Sequence, residues 1–136
     1  MIAIVKSEFN LEITDGLMKG CLTALKEDNI DIKDLYIKKV PGAFEIPAMV
    51  KKIVNENEPN IVIALGCVIK GETDHYHYIC DAVSNGMMTL SLQTQIPVLF
   101  GVLTCQNSQL AYDRSSDKLR KNKGYELGKA VKSMIS

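Results

Sequence analysis

The chain has 136 residues, which suits one domain around one core, and its 46% hydrophobic and 24% charged residues exclude a disordered or low-complexity chain. Sixteen Lys and Arg balance sixteen Asp and Glu, and the one basic cluster, Lys118 to Lys123, is too local to make nucleic acid the main partner. A formal charge of zero gives little protection against self-association and fits a homo-oligomer.

The apolar runs are short and interrupted, so no membrane span is expected. Met1 to Val5 leads straight into Lys6 without the basic start and cleavage pattern of a signal peptide, and the cytoplasm is the expected compartment. Cys21, Cys67, Cys80 and Cys105 are widely spaced among apolar neighbours and form no CxxC pair. Reduced, mostly buried thiols are the expected state.

Ile2 to Val5 predicts a first strand, closing at Lys6-Ser7-Glu8, with Phe9-Asn10 in the loop that follows. A helix is expected from Thr14 or Asp15, either of which can cap it, with Leu17, Met18, Cys21, Leu22 and Leu25 on its apolar face and Asn29 as its stop. Leu35 to Val40 alternates as an edge-side strand would. Pro41 to Pro47 breaks it, and Pro47 fits the first turn of a second helix carrying Met49, Val50, Ile53 and Val54.

Ile61 to Leu65 is apolar and largely β-branched, the pattern of a strand buried on both faces, and it is expected to end at Gly66. After His75 a third helix carries Ile79, Cys80, Val83, Met87 and Leu90 on one side. Pro97 to Leu103 is the fourth strand, with proline at its tolerated first position. Gln106 to Arg114 predicts a short helix and Gly124 to Ile135 a final one. Strand and helix alternate four times. That order predicts a four-stranded parallel sheet covered on both faces, a three-layer αβα sandwich of flavodoxin-like type.

The chemistry concentrates between Ile61 and Tyr78, where a buried strand hands over to a helix. In open α/β sheets, ligands bind outside the carboxyl ends of the strands. The segment GCVIKGET lacks the order of a phosphate-cradling P-loop, and no GxGxxG follows the first strand. A metal is the weaker reading of Cys67, Asp74, His75, His77 and Cys80, because His75 and His77 face nearly opposite ways on a helix. A third reading uses the helix start itself: amides from Gly71 to Asp74 hold a phosphate, Thr73 adds a hydroxyl, and His75 carries protons. Against it stands a plainer account, with Thr73 and Asp74 as caps and His75 on the surface. Phe9-Asn10, Phe44-Glu45 and Phe100, in or near three other strand ends, favour the third reading, since they offer a planar, hydroxylated heterocycle aromatic faces, an amide and a carboxylate.

With Phe9-Asn10, VPGAFEIP at 40–47, LGCVIKGETDHYHY at 65–78, IPVLFGVLT at 96–104 and NKG at 122–124, nearly the whole chain resembles the 6,7-dimethyl-8-ribityllumazine synthase family. The resemblance implies condensation of 5-amino-6-(D-ribitylamino)uracil with 3,4-dihydroxy-2-butanone 4-phosphate through an imine, with loss of phosphate and water. It implies no metal or other cofactor. It places Phe9 on the pyrimidine ring, with Asn10 among the substrate-binding residues. Ala43, Phe44 and Glu45 fall on the ribityl side, and Cys67, Val68 and Ile69 on the uracil, chiefly through backbone groups. Glu72 and Thr73 meet the phosphate substrate, and His75 is the catalytic proton carrier. Phe100, Arg114 and Lys123 come from the neighbouring subunit of a homopentamer. The segment DRSSDKLRKNKG departs from the family's pattern, which leaves Arg120 as a substitute for Arg114. Two other readings are an archaeal-type riboflavin synthase on the same fold and a non-catalytic flavin or lumazine binder or shell scaffold. The intact TDHY and PGAFEIP segments argue against the first, and an assay for phosphate and lumazine separates the second.

Overall fold

Four strands, β1 (Ile2–Ser7), β2 (Leu35–Val40), β3 (Ile61–Ile69) and β4 (Val98–Cys105), pair in the order β2-β1-β3-β4, all parallel. The structure, a computed structural model, describes residues 1–135. The helices are α1 (Leu11–Glu27), α2 (Ile46–Asn57), α3 (His75–Gln93), α4 (Ser108–Asp113) and α5 (Lys123–Ile135), with 3-10 turns at Ala43–Glu45 and Leu119–Lys121.

Side-chain alternation along the strands builds a core on each face of the sheet. Ile2, Ile4, Ile61, Ile63, Leu65, Leu99 and Leu103 pack beneath α1, α4 and α5, against Leu17, Cys21, Ala111, Leu127 and Val131. Their neighbours Ala3, Val5, Val62, Ala64 and Val102 face α2 and α3, against Ile46, Val50, Ile53, Val83 and Met87. The expected three-layer α/β sandwich is therefore present. β2 lies at one edge with Ile37, Lys38 and Lys39 exposed, and Pro47 sits in the first turn of α2.

Several boundaries differ from the sequence reading: β4 begins at Val98, leaving Pro97 just outside it, and runs on to Cys105, and three further differences have a clear physical cause. α1 starts at Leu11, and neither Thr14 nor Asp15 caps it: Thr14 is buried in its first turns, and Asp15 pairs with Lys6. Its N-cap is Asn10, held in the left-handed region at φ 62° and ψ 50°. β1 continues through Lys6 and Ser7, both buried, because Asp15 and Glu8 neutralise the Lys6 ammonium. β3 runs on past Gly66 to Ile69, since its ladder with β4 continues to the Ile69–Cys105 pair. Gly66 marks a close approach instead of an end: a Cβ there would stand 3.0 Å from Ile46 Cδ1.

Candidate active site

The sheet order reverses between β1 and β3, because β1 leads outward to β2 and β3 leads the other way to β4. A crevice opens at the carboxyl ends of strands at such a point. Here it is a cleft of about 600 Å³. Phe9 lines it from the β1–α1 loop, Ala43, Phe44 and Glu45 from the turn after β2, and Cys67, Val68 and Ile69 from the end of β3. Thr73 and His75 complete it at the start of α3. Nine residues singled out in the sequence thus meet in one place.

Local bonding explains how each is presented. Phe9 N donates to Pro41 O at 3.0 Å, which docks the β1–α1 loop on the segment leaving β2. Glu45 N donates to Gly42 O at 3.2 Å and closes the 3-10 turn that carries Phe44 outward. The Glu45 carboxylate folds back over Gly42, where an added Cβ would lie 3.3 Å from Oε1. Phe9 and Phe44 remain 69% and 58% exposed, so two aromatic faces in a cleft that also holds the Glu45 carboxylate await an apolar cover. A planar ring with a hydroxylated arm meets both requirements.

At the start of α3, Asp74 is the N-cap, yet its side chain makes no capping bond. The Thr73 hydroxyl accepts from His75 N at 3.3 Å, and the Asp74 carbonyl accepts from His77 N at 3.0 Å. The positive end of this 19-residue helix therefore opens on the cleft beside an exposed His75 imidazole. Among the described residues, no group of three or more His, Cys, Asp or Glu side chains could hold a metal ion.

The cleft lining includes one thiol, Cys67, with Cys105 beside it, and both resist ionisation. Burial, reinforced by Cys105, pushes the Cys67 thiol up to about 12. Burial also raises Cys105, outweighing the opposing pull of the Arg114 charge. Tyr76 lines the same cleft and was not singled out from the sequence, where an aromatic on a helix reads as core. It is buried, and its phenol is raised chiefly by burial, with Cys80 adding to the shift and Thr104 opposing it. Pro41, Gly42, Gly71 and Ile79 add the remaining walls.

Other expected site residues lie elsewhere on the protomer. Asn10 Nδ2 donates to Cys67 O at 3.1 Å, behind the cleft wall, and Glu72 is exposed and not in the lining. Phe100 borders a separate recess of about 220 Å³ with Met87, Met88 and Val98. Arg114 and Lys123 share a third, of about 540 Å³, with Arg120 and Lys121. Lys123 there also pairs with Glu126 at 3.0 Å. No helix among the described residues is long and apolar enough to cross a membrane. A family model described as 6,7-dimethyl-8-ribityllumazine synthase matches residues 1–136.

Proposed function

The chain belongs to the 6,7-dimethyl-8-ribityllumazine synthase family, and from that premise we propose how its residues divide the work. As a member of that family it is a transferase of riboflavin biosynthesis, condensing 5-amino-6-(D-ribitylamino)uracil with 3,4-dihydroxy-2-butanone 4-phosphate to the lumazine, phosphate and water.

In this reading the pyrimidine stacks on Phe9 against the Cys67–Ile69 rim, and its ribityl arm runs past Phe44 to the Glu45 carboxylate. The observation that carries the assignment is the convergence of Phe9, Glu45, Thr73 and His75 on one cleft. The phosphate substrate sits at the start of α3, where Thr73 and the helix dipole favour an anion. Its ketone then faces the 5-amino group. His75 gives a proton to the departing carbinolamine hydroxyl and takes the amine proton, so that water leaves and the imine forms. It then takes the C–H proton beside the imine carbon as phosphate is expelled, and returns it to the resulting enol before ring closure releases the second water. The neutral Cys67 thiol takes no nucleophilic part. Holding two substrates in register supplies much of the acceleration, since orientation contributes up to ~7–11 kcal/mol in favourable cases.

The leaving phosphate needs cationic stabilisation that the cleft's own lining lacks. Arg114 of an adjacent copy, with Lys123 and Phe100 of that copy, supplies it and closes the cleft; Arg120 is the substitute cation. Exposed Tyr78, Met88 and Leu92 on α3 and Phe100 on β4 support a covered face, as in a homopentamer with sites between subunits. The whole chain forms one domain and works in the cytoplasm without a cofactor. Incubating the purified protein with both substrates tests the reading: phosphate and fluorescent lumazine should appear together. Protein that yields neither would overturn it.

A further inference from the structure

We infer that Asn10 is a positioning residue, not a substrate contact: it fixes the Phe9 ring at a set height above the Cys67–Ile69 rim. The inference rests on the proposed stacking role of Phe9.

An asparagine at a helix N-cap normally turns its side chain onto the helix's own free amides. Asn10 makes no such bond. Its carbonyl accepts from Ile13 N and Thr14 N, both at 3.0 Å, while its side-chain amide reaches across the sheet to Cys67 O at 3.1 Å. The left-handed backbone at φ 62° makes that reach available, and asparagine enters this region more readily than other residues with a side chain.

The same loop is tied on its other sides. Glu8 N donates to Val40 O at 2.8 Å and Phe9 N to Pro41 O at 3.0 Å, fastening it to the β2 end. The buried Ser7 hydroxyl donates to Phe9 O at 3.4 Å from within the sheet. Asn10 ties this loop to β3 as well. Phe9 therefore combines a backbone held by three strands with an exposure of 69% for the residue as a whole. A platform held this way needs no ordering of its backbone when a ring stacks on it. Asn10 itself lies outside the cleft lining, so its influence on a ligand runs through Phe9.

The experiment is a double-mutant cycle in the assembled protein, with 6,7-dimethyl-8-ribityllumazine as probe and its own fluorescence as readout. Asn10→Gly keeps the left-handed backbone and deletes the donor; Asn10→Asp keeps the shape but turns a carboxylate toward the Cys67 carbonyl. Each should weaken lumazine binding about tenfold, and Phe9→Ala with Asn10→Gly should bind no more weakly than Phe9→Ala alone. In turnover, the Michaelis constant for the pyrimidine should rise while that for the phosphate substrate stays put. Losses that multiply in the double variant would make Asn10 a direct contact, and wild-type affinity in Asn10→Gly would leave it no role; either overturns the inference. A ligand-free arm keeps this separate from the functional reading. Backbone hydrogen exchange over residues 9–14 should quicken in Asn10→Gly, even if the wild-type protein binds no lumazine. Unchanged exchange there would overturn the positioning role by itself.

Discussion

Gly124 on α5 lies directly against the Leu17 carbonyl of α1, leaving no space for a Cβ between them. One turn further on, a Cβ at Gly128 would stand 2.7 Å from Cys21 O and equally close to Ala24 Cβ. The buried Asn122 fills the adjoining space: it donates to Gly16 O at 3.1 Å and Ser116 O at 3.0 Å, and accepts from Tyr125 N at 3.0 Å. The Asn122-Lys123-Gly124 segment is thus a packing device at its two ends, with Lys123, beside Asn122, bordering the cationic recess. Gly124→Ala should therefore destabilise the fold by about 1–3 kcal/mol, the usual range for overpacking. Lys123→Ala should stay within about 0.5 kcal/mol of wild type. Urea unfolding of both variants checks this, and equal midpoints would contradict the packing account.

His75 is exposed at the first position of α3, and its side chain supports none of the buried layers. His75→Ala should leave the unfolding midpoint near wild type. Its turnover should fall by about 10²–10⁴-fold if the imidazole carries the proton, with smaller changes in both Michaelis constants. Full turnover in that variant would remove His75 from the mechanism.

The sequence made the order of elements legible because each leaves a local mark: uncharged β-branched runs for strands, 3.6-residue periodicity for helices, Pro47 at a helix start. Asn29, in the left-handed region at φ 59° just past α1, was readable as a stop for the same reason. What escaped were features set by distant partners. The start of α1 depends on Asn10, whose side chain answers to Cys67, 57 residues away. β3 passes Gly66 because β4 keeps pairing with it, and Lys6 is buried because α1 brings Asp15 to it. The cleft itself was legible because its residues fall at strand ends. No periodicity tells whether Phe100 or Arg114 serves its own chain's cleft or a neighbour's, and the two sit on separate recesses of the protomer.

Buried thiols give the stability a defined alkaline limit. Burial raises Cys21 and Cys67 from 9.0 to about 12, so between these values the unfolded chain sheds protons that the folded one keeps. Stability from these groups is complete below pH 9 and is lost as pH rises toward 12. Urea midpoints measured stepwise across that window should fall, and fall less steeply in Cys21→Ala than in wild type. Parallel slopes would show that Cys21 is not a source of the alkaline limb. In the same samples, iodoacetamide at pH 8 should leave Cys21 and Cys67 unmodified until the protein is unfolded.

Arg114 caps the end of α4, and its carbonyl accepts from Lys123 N at 2.8 Å, locking that end to the start of α5. This linkage gathers Arg114, Arg120 and Lys123 around a recess that shares no residue with the cleft of Phe9 and His75. If an adjacent copy brings those cations to the leaving phosphate, Arg114→Ala should raise the Michaelis constant for the phosphate substrate. A tenfold rise or more is expected, because a charge-assisted hydrogen bond contributes about 1.5–3 kcal/mol. Arg120→Ala provides the comparison, since the larger effect identifies the cation that faces the phosphate. Sharing between copies has its own signature. His75→Ala and Arg114→Ala, each weak alone, should recover activity when dissociated, mixed in equal amounts and reassembled, because about one interface in four then carries both native sides. A mixture no more active than its components would mean that both residues serve the same chain's site. The homo-oligomeric arrangement of the active site would then have to be abandoned, even with the lumazine-forming reaction intact.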